Sequence, residues 1–154
     1  MNGKAAVLIG SESDRDSMEA ARKYFEYFDI EMDLRVMSAH RNPDQLSKFA
    51  TSARENGYHV LIGAAGMAAH LAGALKAHSS LPVIGIPLKG GVVDGLDSLL
   101  ATVQMPKGLP VATLAVGKSG AINAAILCAE ILSLADSSIL KKLEHLLLSL
   151  LLVY

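Results

Sequence analysis

At 154 residues and a formal net charge of −1, the chain holds one domain's worth of sequence, with no general electrostatic pull towards nucleic acid or an anionic membrane. Its one cysteine, Cys128, excludes an internal disulfide, and the apolar start MNGKAAVLIG is too short for a secretory signal, so the expected compartment is the cytoplasm. Hydrophobic residues make up 51% but aromatics only 5%; so much Ala, Leu, Val and Ile leaves apolar surface that a lone monomer hides poorly, which points to a sizeable oligomer.

Ala5 to Ile9 is a continuous apolar run, as expected of a parallel strand buried on both faces. It opens into Gly10-Ser11-Glu12-Ser13-Asp14. The spacing of Met18, Ala21, Phe25 and Phe28 then predicts a helix with one buried face, with Ser13 as its N-cap. Hydroxyls and free amides at a helix start suit a phosphate, although Ser and Asp cap helices in any protein.

Glu31 to Val36 reads as the second strand and leads into Val36-Met37-Ser38-Ala39-His40-Arg41-Asn42-Pro43. Asn42 suits an N-cap, Pro43 the first helical position, and Gln45 the partner position of a capping box. Ser38, His40 and Arg41 thus fall in a tight turn at the carboxyl end of a strand, the edge where open α/β sheets bind ligands. Hydroxyl, imidazole and guanidinium together suit an anionic substrate that needs a proton moved. The plainer alternative is an Asn-Pro cap with incidental polar neighbours.

The next helix buries Leu46, Phe49, Ala50 and Ala53 and stops at Gly57. His59 to Ala64 is the third strand, leaving through Ala64-Ala65-Gly66-Met67-Ala68-Ala69-His70-Leu71-Ala72-Gly73. That run, almost without bulk, admits a ligand close to the backbone, but a tight helix–sheet contact needs the same residues. His70 within it fits a satisfied core histidine more readily than a catalyst. Leu81 to Pro87 is the fourth strand, and Lys89 to Gly95 is a glycine-rich loop suited to a lid. Leu96 to Gln104 reads as a short helix and Val111 to Val116 as the fifth strand. A long helix from Ala121 to about Leu134 and a last one from Ser138 to Tyr154 complete the chain.

This alternation is that of a three-layer α/β fold with a doubly wound parallel sheet, flavodoxin-like in order (2-1-3-4-5), with a C-terminal helical extension. Such an order brings the exits of the first three strands into one cleft. Gly117-Lys118-Ser119 is no triphosphate loop, because the glycine required five positions earlier is Ala112, and no G-x-G-x-x-G follows a strand. His40, His59, His70, His78 and His145 lack zinc-site spacing, so no metal is expected. Cys128, mid-helix with no base at the cleft edge, is a poor nucleophile.

Taken in order, GSESD, SAHRNP, AAGMAAHLAG and DGLDSLLATVQMPKG make the chain strongly resemble the N5-carboxyaminoimidazole ribonucleotide mutases of purine biosynthesis, more narrowly the bacterial class I enzymes. The likeness covers roughly residues 4 to 135 of a single mutase domain expected to span 1–154, with 138–154 as the C-terminal helix. The related class that carboxylates aminoimidazole ribonucleotide with free CO2 typically has Lys after the His; Arg41 and Ala68-Ala69-His70-Leu71 favour the mutase. The resemblance implies that a carboxylate moves from the exocyclic nitrogen to ring carbon C4 with no cofactor, neither metal, ATP nor biotin. It implies His40 as general acid and base, and Ser11, Ser13, Asp14, Ser38, Ala39 and Arg41 as phosphate and ribose contacts. Ala65, Gly66, Ala68, His70 and Leu71 would line the pocket around base and carboxylate.

The expected partner is therefore a small phosphorylated nucleotide, with no nucleic acid and no membrane, and the family implies a homo-octamer. Two features depart from the family: Ala72 stands where His-Leu-Pro-Gly is usual, and Leu146 to Tyr154 is apolar where a charged helix is expected. A carboxylase taking free CO2 and a non-catalytic phosphoryl-ligand-binding module are the competing readings.

Overall fold

The computed structural model describes residues 3–151. Its five strands are β1 (Gly3–Ile9), β2 (Ile30–Val36), β3 (Val60–Ala65), β4 (Val83–Pro87) and β5 (Ala112–Thr113). All pair in parallel, in the order β2-β1-β3-β4-β5, as the alternation of strands and helices requires. The helices are α1 (Arg15–Glu19), α2 (Arg22–Tyr27), α3 (Pro43–Ser52), α4 (Leu71–His78), α5 (Leu96–Val103), α6 (Lys118–Ser133) and α7 (Ser137–Leu151).

Side chains alternate across the sheet and build a core on each face. On one face Ala5, Val7 and Ile9 of β1 meet Met18, Phe25, Phe28 and the small residues Ala121, Ala124, Ala125 and Cys128 of α6. On the other, Ala6 and Leu8 meet Leu46 and Ala50 of α3 and Leu71, Ala72 and Leu75 of α4. Fully burying each larger apolar side chain contributes about 1.5–3 kcal/mol. Gly63 of β3 lets α4 approach: a Cβ there would fall 2.9 Å from the Cα and N of Ala72, so any side chain would push the helix off the sheet. The position expected to hold proline is thus filled by a residue pressed against the strand, and α4 starts at Leu71 without it.

Four expectations are corrected. The first helix is two, α1 and α2, joined at Ala20–Ala21. Ser13 caps neither; Ser11 instead accepts from the Ser13 amide at 3.4 Å at the head of a 3-10 turn, Glu12–Asp14. Asn42 precedes Pro43 at the start of α3 but makes no side-chain cap; its Oδ1 turns back to accept from the Ser38 amide at 3.4 Å. The fifth strand shrinks to Ala112 and Thr113. Pro87, opposite its far end, has no N–H for the ladder, and Gly117 N reaches the Pro87 carbonyl at 2.9 Å instead. Of the last helix and the apolar tail, residues 152–154 lie outside the described residues.

Candidate functional site

Four strand exits frame an open cleft of about 480 Å³. At the β1 exit the chain turns through Gly10 to Asp14, with Ser13 Oγ donating to Ser11 Oγ at 3.0 Å and Asp14 N donating to the Ser11 carbonyl at 3.1 Å. At the β2 exit Met37 N still bonds the Ile9 carbonyl, and the backbone then folds over the buried Ser38. Ser38 Oγ accepts from the amides of His40 and Arg41, each at 3.3 Å. This knot projects His40 from the sheet edge, while Arg41 Nη2 donates to the Gly10 carbonyl and ties the two exits together.

The β3 exit supplies the small wall: Ala65, Gly66, Met67 and Ala68 line the cleft before α4 begins. Met67 adopts a left-handed φ of 52° and is 65% exposed, an uncommon conformation for a side chain of that size. His70 is the residue before α4, and it is exposed rather than a core histidine. Its Nδ1 lies 2.8 Å from His40 Nε2, with the rings edge to face at 86° and 4.9 Å between centroids. At that separation one ring donates an N–H and the other accepts it.

Burial pushes the Asp14 carboxyl above the usual carboxylate range, against an opposing hydrogen bond from Ser11 and the charge of Arg41. Cys128 stands apart, buried in α6, with its thiol pushed up to about 12 by that burial; it is inert as a nucleophile there.

All twelve residues singled out from the sequence (Ser11, Ser13, Asp14, Ser38, Ala39, His40, Arg41, Ala65, Gly66, Ala68, His70 and Leu71) line this one cleft. Gly10, Met67, Lys89, Gly90 and Gly91 line it too. The last three come from the β4 exit, the glycine-rich loop whose composition was the signal. Among the described residues no helix is long and apolar enough to cross a membrane.

The sequence model of the AIR carboxylase family matches residues 4–149. N5-carboxyaminoimidazole ribonucleotide mutase of Escherichia coli (strain K12) is 47% identical over 141 residues, covering 92% of this chain and 83% of that protein. The protein of the same name from Pyrococcus abyssi is 48% identical over 141 residues, with 92% and 80% covered. In three dimensions the chain is similar to the crystal structure of Treponema denticola PurE, with a TM-score of 0.86 at 25% identity, covering 96% of this chain and 90% of that one.

Proposed function

The chain belongs to the AIR carboxylase family, and from that premise we propose that it converts N5-carboxyaminoimidazole ribonucleotide into 4-carboxy-5-aminoimidazole ribonucleotide in de novo purine biosynthesis. The observation that carries this reading is the His40–His70 contact, set between the small residues of the β3 exit and the hydroxyls and guanidinium of the β1 and β2 exits. An imidazole in that position serves proton transfer, which a module that merely held a phosphorylated ligand would not need.

Ser11, Ser13, Ser38 and Arg41, with Ala39 and Asp14 beside them, hold the phosphate and ribose. A guanidinium fork suits phosphate because it can bond two oxygens at once. Anchoring that end orients the distant ring for reaction. His40 gives a proton to the exocyclic nitrogen of the carbamate, and the N–C bond breaks with its electron pair returning to nitrogen. Aminoimidazole ribonucleotide and CO2 result. Ala65, Gly66, Ala68 and Leu71 confine the CO2 while ring carbon C4 attacks it and forms the new C–C bond. His40 then removes the C4 proton and restores the aromatic ring. Imidazole exchanges protons near neutral pH and suits both halves, and such positioned proton transfer contributes typically about 10²–10⁴-fold. His70 holds the His40 ring in place through the shared hydrogen. The reaction as written draws on no cofactor.

The test is carboxyl migration assayed without ATP. Turnover of the N5-carboxylated nucleotide that is independent of bicarbonate is expected. Turnover only of aminoimidazole ribonucleotide with added bicarbonate would make the protein a carboxylase instead, and tight binding without turnover would make it a binding module.

The same reading puts the protein in the cytoplasm as a homo-octamer. Its apolar surface supports assembly: Val92, Val93, Leu96, Leu100 and Val103 line up along α5 and the turn before it, and Leu147, Leu148 and Leu150 are exposed on α7. Light scattering should return eight times the chain mass, and a monomeric mass would refute the assembly.

A further inference from the structure

The cations of the cleft stand at opposite ends. Arg41 leaves β2 and is tied to the Gly10 carbonyl; Lys89 leaves β4, with β1 and β3 between them in the sheet. The Lys89 backbone abuts the small-residue wall, since a Cβ on Gly66 would fall 3.5 Å from the Lys89 carbonyl. Its stem runs over Gly117, 3.6 Å from where a Cβ would lie. The root of the loop is braced from α5, where the Asp97 carboxylate accepts from the Val92 amide at 3.0 Å and from the Ser98 amide at 2.8 Å. The ammonium itself is loosely held: Lys89 Nζ lies 3.4 Å from Asp94 Oδ2, with the two side chains 68% and 70% exposed. A pair so exposed gains little and exchanges readily for another anion.

We propose that Lys89 is the specificity residue that receives the migrating carboxylate. The inference rests on the functional reading above. With the phosphate seated at the β1 and β2 exits, the ring reaches across to the β3 and β4 exits, where Lys89 is the cation. The carboxylate occupies two places in the reaction, on the exocyclic nitrogen and on C4. A point charge on a flexible four-carbon stem can follow it between them, whereas a guanidinium fork would fix one geometry. Between those states the carboxyl group is neutral CO2, and the ammonium returns to Asp94. Lys89 therefore holds substrate and product and leaves the bond-breaking step to the imidazole.

The experiment measures KM for the two carboxylated nucleotides and the competitive inhibition constant of aminoimidazole ribonucleotide, which lacks the carboxylate. Lys89→Met should raise both KM values about tenfold, the loss expected for a hydrogen bond to a charged group, and leave the inhibition constant within about twofold. Asp94→Asn, which frees the ammonium while keeping an oxygen for the Gly90 amide, should lower both KM values. An unchanged ratio of KM to inhibition constant in Lys89→Met, or an equal rise in all three constants, would overturn the proposal while the wild type still moves carboxyl groups. A wild type without that activity would overturn the functional reading, and this inference with it.

Discussion

Two clusters of polar side chains on this sheet spend their hydrogen bonds in opposite ways. At the β2 edge the Asp33 carboxylate accepts from Tyr58 Oη and from Arg35 Nε, the latter at 2.8 Å, and Arg35 Nη2 in turn reaches Tyr58 Oη at 3.0 Å. The guanidinium also lies over the Phe49 ring, 5.1 Å from its centroid. Burial alone would raise Asp33, but the hydrogen bonds from Arg35 and Tyr58 outweigh it and hold the carboxyl below its ordinary range. Burial first, and the bond to Asp33 second, push the Tyr58 phenol up to about 12. That cluster is closed on itself.

At the cleft, the polar groups are positioned by backbone and keep capacity in reserve. Ser38 Oγ accepts from two amides and retains its own O–H to donate. Arg41 uses one nitrogen on Gly10 and keeps most of its five donors. Asp14 is driven towards its neutral form, where Asp33 is driven towards its charged one. The contrast teaches that a polar cluster is marked as a binding site by what its groups leave unspent.

Breaking the cleft should cost activity and spare the fold. His40→Asn is expected to lower kcat by about 10³-fold or more, the upper range for loss of a general acid and base, while keeping ligand affinity within about tenfold. Full activity in that variant would remove the mechanism. Arg41→Ala should act mainly on KM, raising it by roughly 10- to 100-fold for the loss of a charge-assisted contact; an unchanged KM would refute the phosphate role.

Breaking the closed cluster should do the reverse, and more gently. Tyr58→Phe should cost about 1–2 kcal/mol in urea unfolding at pH 7, since it strips a donor from a partly buried carboxylate, with kcat altered less than twofold. Because the folded state lowers the Asp33 pKa, the stability it contributes is present above the ordinary carboxylate range and is lost as pH falls through the lowered folded value. The gap between Tyr58→Phe and wild type should accordingly close in acid. A gap that persisted at every pH would place the effect in packing instead.

Much of this was legible in the sequence, for reasons that differ by element. Strand order and cleft followed from five apolar runs separated by helix patterns, because parallel strands buried on both faces carry continuous hydrophobic stretches. The break at Ala20–Ala21 was hidden, since both residues stay right-handed and Met18, Ala21, Phe25 and Phe28 all still face the sheet. The unpaired end of the fifth strand depended on Pro87 in a neighbouring strand, which no local pattern reports. His70 was misjudged because it was read from its apolar neighbours, while the ring it meets is 30 residues away and the pairing of two side chains leaves no mark in periodicity. Lys89 was read only as part of a glycine-rich loop, because the expected cleft was drawn from the first three strand exits and β4 adds a fourth.

The missing side chain at Gly63 acts as a fulcrum beneath the cleft. Helix α4 rests on that bare stretch of strand and carries at its tip one half of the imidazole pair. A single added methyl group on that buried strand would lever the tip outward and part the rings. Damage to the pairing of the two imidazoles can thus arise from the foundations of the cleft, with every side chain that lines it unaltered.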